Sequence, residues 1–331
     1  MKIDVFPHIL PVKYKEAFQK INRSEAFVKM HSIIPTLYDL DYRFRIMDQF
    51  GDLVQVLTLS GPPVESFADA NQSSELSKLA NDEMAELVAK YPDRFVAAVA
   101  CLPMNNVDAA MSEVDRAIRD LHFKGVQIFT PINDKPLDSP EFLPLYEKMS
   151  RYDLPIWIHP QREADYPDYR SEKKSKYAIH SMLGWVYETS SGMVRLVLGG
   201  ILEKYPKLKF IVHHGGAMIP FLHRRVESFV DFSATRLKNN ILANISDPAI
   251  DYFKLFYADT AIYGNTAGLM CSYDFFGSQH LLFGTDMPYD SQFGLTFTGE
   301  TIRSIEHMAI EEAEKRDIFE DNARRLLSLT P

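Results

Sequence analysis

Short apolar runs alternate with longer stretches of helical periodicity along the chain. Eight runs predict strands: Lys2–Phe6, Leu53–Leu59, Phe95–Leu102, Val126–Thr130, Pro155–His159, Phe210–His214, Phe256–Thr260 and His280–Asp286. Most are continuously apolar, the pattern of parallel strands covered on both faces. Between them Ser74–Lys90, Asp108–Leu121 and Glu188–Lys204 carry helical spacing, with Asp108 or Ser112 as N-cap of the second. The charged, amphipathic segment Thr301–Leu327 predicts C-terminal helices outside the strands. Eight strand–helix units predict an α/β fold, a closed (β/α)8 TIM barrel forming one domain over residues 1–331. One connection breaks the rhythm. Residues from about 11 to 45 join strand one to the helix entering strand two, and a link that long predicts a flap or small insertion over the site.

Composition narrows the picture by exclusion. A hydrophobic fraction of 46% supports a sizeable core, and barrels commonly use 331 residues as one domain. The net charge of −9 and the lack of a basic stripe argue against a nucleic-acid surface. The two cysteines, Cys101 and Cys271, suit a reducing compartment and exclude a disulfide framework. The opening MKIDVFPHILP has no apolar stretch of signal-peptide length, and no apolar run approaches the roughly 18 residues of a membrane span. A cytoplasmic protein with no membrane partner is therefore expected. Phe275 and Phe276, expected at the surface of this acidic barrel, suggest a homodimer.

Candidate chemistry gathers at the predicted strand ends, where barrels of this kind keep their active sites. Strand one ends in Phe6-Pro7-His8, strand five in His159, strand six in His213-His214 and strand eight in Asp286. Any one of these histidines alone reads equally well as a satisfied core residue; the set, with an Asp in GTDMP, reads as a site. Neutral imidazoles and a carboxylate suit Zn2+ or a similar divalent ion, while a non-ligating His takes or delivers a proton. Without a metal, His214 and Asp286 still form an acid/base pair.

These residues resemble the amidohydrolase superfamily, in the branch of aminocarboxymuconate-semialdehyde decarboxylase and its relatives. MKIDVFPHILP, RFRIMDQFG, DRFVAAVACLPM, FKGVQI, PIWIHP, GGILEKYPKLKFIVHHGG, YADTA, LLFGTDMPY and DNARRLL follow in family order along the whole chain. The resemblance implies a metal on His8, His159 and Asp286, and a proton-transfer role for His214. His213 fills a position that is usually apolar there and is read as structural. The chain departs from the pattern at the first ligand, where Phe6 stands in place of His or Glu and has no lone pair to donate. Three protein ligands still suffice for a catalytic zinc, with manganese as the alternative. In the flap, His31 stands where the resemblance places a substrate-holding Arg, and a neutral His cannot reproduce a bidentate charged grip. A different small carboxylic acid, such as a phenolic acid, is therefore the expected substrate.

Other polar residues carry less. Arg43 and Arg45 read as salt-bridge formers, and Arg162, Arg170, Lys173, Lys174 and Lys176 as a solvated loop after strand five. Trp185 and Tyr289 are candidate pocket walls, with Asp290 beside them, and Asp259 is expected to brace the barrel interior. The leading expectation is non-oxidative decarboxylation of a small, aromatic carboxylic acid by a carbon–carbon lyase, with the ring carbon protonated by Asp286 or through His214. The alternatives are a metal-dependent hydrolase of an ester, lactone or amide, and a degenerate barrel that binds without turnover, for which Phe6 is the main support.

Overall fold

The computed structural model describes residues 1–22 and 25–329. Its strands are Lys2–Asp4 and His8–Ile9 (together the first), Leu53–Leu59, Phe95–Ala98 with Ala100–Cys101 (the third), Val126–Thr130, Ile156–Pro160, Phe210–Val212, Tyr257–Asp259 and Leu281–Leu282. Every pairing is parallel, running from the first strand through the second and onward to the eighth. Three backbone bonds then join the eighth strand to the first: Val5 N–H to Phe283 O (2.9 Å), Asp286 N–H to Phe6 O (2.9 Å) and His8 N–H to Met287 O (2.7 Å). The ring is closed, as the alternation of apolar runs predicts.

The second and fourth strands have the predicted bounds, because every one of their residues is buried. The sixth and eighth stop short of their predicted ends. His214 (φ 58°) and Asp286 (φ 60°) adopt left-handed backbone, which turns the chain out of the ladder where the polar residues begin.

Among the helices, Ala70–Lys90 starts behind Asp69, whose carboxylate accepts from Asn71 and Gln72 N–H. Val107–Arg119 is capped by Asn106, not by Asp108 or Ser112, and the Ser112 hydroxyl donates to the Asp108 carbonyl inside the helix. The predicted Glu188–Lys204 helix is two, Trp185–Leu198 and Ile201–Lys204, broken at Gly200 with φ 75°. The C-terminal segment forms Leu295–Glu306, Glu312–Arg316 and Asn322–Leu327. The last of these does not lie only outside the barrel. Ala323, Leu326 and Leu327 pack with Ile3, Val5, Val54, Trp157 and Leu282, sealing the barrel interior at the end away from the polar cluster.

The long connection holds helices Val12–Ile21, Glu25–Ile33 and Leu40–Met47, anchored by buried Tyr14, Phe18, Leu37 and Met47. Arg43 on the third of these forms no salt bridge among the described residues. It is fully buried and donates to Gln55 Oε1 (2.7 Å), His8 O (2.8 Å) and Thr36 O (3.2 Å), tying the connection to the first strand. Arg45 is exposed over the ring of Tyr42. Phe275 and Phe276 are buried, contrary to expectation, because their helix turns that face onto the core; among the described phenylalanines the exposed ones are Phe221, Phe229 and Phe232. Among the described residues no helix is long and apolar enough to cross a membrane.

Candidate active site

The barrel's alternation carries Ile211 and His213, Trp157 and His159, and Tyr257 and Asp259 toward the interior on neighbouring strands. Above the apolar floor set by Ile3, Val5, Val54 and Trp157 lies a polar layer whose centre is Asp286. Its Oδ1 accepts from His8 Nε2 at 3.1 Å, and its Oδ2 accepts from the Tyr263 hydroxyl at 2.7 Å and lies 3.7 Å from His214 Nε2. All three predicted histidines are buried with it. His159 turns Nδ1 to its neighbour's carbonyl, Pro160 O, at 2.7 Å, and its ring centre lies 5.2 Å from that of His8.

Charge in this layer is set by competition between burial and pairing. Burial alone would lower the His214 pKa, but the nearby Asp286 carboxylate raises it above that of an ordinary imidazole. Burial alone would raise Asp286; His214 close by and the hydrogen bond from His8 hold it well below the carboxylate range. His159 has no such partner at close range, and burial pushes it well down, keeping it neutral. His214, Asp286 and Tyr263 all have φ between 55° and 60°, left-handed backbone that non-glycine residues seldom adopt outside turns and functional sites. Gly215, next in the HGG turn, has φ 66°, and a Cβ there would meet Ser272 Oγ at 2.9 Å.

The other predicted residues fall around this centre. Tyr289 is packed 5.3 Å from the His8 ring, its hydroxyl hydrogen-bonded to Ser60. His31 sits behind that pair, fully buried, with Nε2 3.2 Å from Ser60 Oγ and its pKa pushed down to about 4 by burial. Trp185 meets His159 edge-on at 5.9 Å, and its indole N–H donates to Arg162 O. Arg162 itself pairs with Glu188, and Lys176 with Glu172, so the basic loop is partly tied down. Asp290 accepts backbone N–H groups of Gln292, Gly294 and Phe297 and braces the turn past Tyr289. Asp259 braces the interior as expected, through Gly215 N–H, Ala261 N–H and His213. Tyr263 was missed: it lies past the end of strand seven, where no periodicity marks it.

Phe6, at the departed position, is fully buried; it stacks on His213 at 3.5 Å with planes 12° apart and meets His8 edge-on at 4.7 Å. As the side chains stand, no three His, Cys, Asp or Glu groups among the described residues converge to full coordination distance. The donor set nevertheless fits a divalent ion. Atoms bound to one cation at about 2.1 Å lie roughly 3 Å apart, matching the 3.1 Å between His8 Nε2 and Asp286 Oδ1.

Beyond the neighbouring Phe129, a small cavity is lined by Ser60, Glu65, Cys101 and Gln127. Burial raises the Glu65 pKa to about 7. A carboxyl raised above its unfolded value holds its proton more tightly when folded, so stability is full below the unfolded pKa and falls as pH rises toward 7. Glu65→Gln should therefore gain about 2 kcal/mol over the parent above pH 7 and nothing near pH 4, as read by urea denaturation at both pH values.

Comparison with known proteins agrees with the fold. The family described as Amidohydrolase matches residues 35–329. Gamma-resorcylate decarboxylase of Polaromonas sp. (strain JS666) is 30% identical over 296 residues, covering 87% of each chain. The 2-amino-3-carboxymuconate-6-semialdehyde decarboxylase of Dictyostelium discoideum is 26% identical, covering 100% of this chain and 92% of its own. A crystal structure of dihydroxybenzoic acid decarboxylase from Polaromonas sp. JS666, with bound manganese and the inhibitor 2-nitroresorcinol, superimposes with a TM-score of 0.79 at 26% identity, covering 99% of this chain and 96% of that one. With a closed parallel barrel, histidines and an aspartate at its strand ends and a family match over most of its length, the chain belongs to the amidohydrolase family.

Proposed function

We propose that the protein is a divalent-metal-dependent, non-oxidative decarboxylase of a small aromatic carboxylic acid. The observation that carries this is the buried Asp286 carboxylate shared by His8, His214 and Tyr263, in a chain whose relatives are decarboxylases. His8, His159 and Asp286 would hold the cation, zinc or manganese. When bound, it supplies positive charge to draw in the substrate carboxylate and an adjacent oxygen.

This chain's own residues do the rest. Trp185 and Tyr289 wall the space beside His159 and His8, with His31 fixing the Tyr289 hydroxyl through Ser60. His214, whose proton affinity Asp286 raises, would give its proton to the ring carbon that bears the carboxylate. The new C–H bond forms from the ring's π electrons. The C–CO2 bond then breaks, and its electron pair restores the ring as CO2 leaves. Solvent returns the proton to His214. The segment from about 11 to 45 would act as the flap over this site.

His214→Asn is expected to lower kcat by about 10^2-fold or more while metal content, read by elemental analysis, stays at the parental level. Chelation should abolish CO2 release, and a single added divalent ion should restore it. In D2O the product should carry deuterium at the vacated ring carbon. Incorporation of 18O from water into an acid product, without CO2, would identify a hydrolase instead.

A further inference from the structure

The two ring nitrogens of fully buried His213 have unlike surroundings. Nδ1 is hydrogen-bonded to Asp259 Oδ2 at 2.7 Å, whereas Nε2 meets no hydrogen-bond partner among the described residues. Asp259 Oδ1 already accepts from Gly215 N–H at 3.3 Å and Ala261 N–H at 3.0 Å. An ionised Asp259 can only accept, and with its Oδ1 taken by the two N–H groups its Oδ2 then holds the His213 proton on Nδ1 and leaves the Nε2 lone pair bare. A bare buried acceptor is costly unless something occupies it. An imidazole oriented by a carboxylate on one nitrogen and open on the other is how proteins prepare a histidine to hold a metal.

The surroundings agree. The His213 ring centre is 5.7 Å from that of His159, a spacing compatible with two imidazoles on one ion. Phe6 lies flat against one face of His213 and edge-on to His8, so it fixes the plane of the ring between the two imidazoles without donating. Phe6 on strand one and His213 on strand six therefore form a reciprocal pair: a ligand type is lost from one wall and gained on another.

We propose that His213 supplies the divalent-cation site with the imidazole that Phe6 cannot, so that His8, His159, His213 and Asp286 hold the ion together. This rests on the reading of His8, His159 and Asp286 as the metal residues. Three neutral imidazoles and one carboxylate form a donor set that favours zinc or cobalt over magnesium or calcium.

The test is titration of the chelator-treated full chain with Co2+, following binding calorimetrically and through the visible absorption of the bound ion. The parent should bind one Co2+ per chain. His213→Asn, shown to be folded by circular dichroism, should bind about 100-fold more weakly with an altered spectrum, and Asp259→Asn about 10-fold more weakly. If H213N binds with parental affinity and spectrum while His159→Asn does not, His213 is not a ligand and the three-residue reading stands. If the parent itself fails to bind Co2+, both readings fall. Should H213N not fold, D259N decides, and parental affinity in that variant overturns the proposal.

Discussion

Replacing Asp286 by Asn is expected to lower kcat/KM for CO2 release by about 10^3-fold or more. The carboxylate accepts from His8 and Tyr263 and faces His214, so its two oxygens serve three groups. An amide would turn one NH2 toward at least one of those donors and would carry no charge. His214 would then lose what raises its pKa against burial and would stay neutral, with no proton to give. The same change would weaken one of the residues proposed to hold the cation. A 13C-labelled substrate, with released CO2 followed by mass spectrometry, reads the effect; a D286N enzyme within tenfold of the parent would remove Asp286 from the chemistry.

The second large effect falls on stability. Arg43→Ala should cost about 3–5 kcal/mol in urea denaturation. Arg43 is completely enclosed, and burial lowers even its pKa to about 10 against the opposing charge of Asp4. Its truncation leaves the His8 carbonyl, the Thr36 carbonyl and Gln55 Oε1 without the donor that satisfies them. Because one of those acceptors is the backbone of His8, R43A should also reduce metal affinity in the protein that remains folded. Stability within 1 kcal/mol of the parent, on the scale of a surface change, would show that water replaces the guanidinium.

Much of this was legible in the residues. Leu53–Leu59 and Val126–Thr130 were readable to the residue because continuous burial writes itself as continuous apolarity. Polar residues at strand ends marked His8, His159, His214 and Asp286, which the fold brings into one layer. Other features depended on contacts that no local pattern encodes. Arg43 looked like half of a salt bridge, yet two of its three partners are carbonyl groups, which every residue possesses. Tyr263 reaches Asp286 only because a left-handed turn after strand seven redirects it. Phe6 was visible as a departure, but its stacking on His213 needs strands one and six to face each other across the barrel. Phe275 and Phe276 failed as surface residues because a helix whose faces differ little in polarity does not announce which one turns inward.

The closure of the barrel also dictates when the site comes into being. His8 and Asp286 are separated by 278 positions, and they meet because Asp286 N–H seats on the Phe6 carbonyl as the last strand joins the first. During synthesis the residues of the first strand wait for nearly the whole chain to emerge before their partner exists. On the proposed reading, cation capture would be a terminal event in the life of the nascent protein, and any chain cut short before strand eight would leave the ribosome without the Asp286 half of the pair.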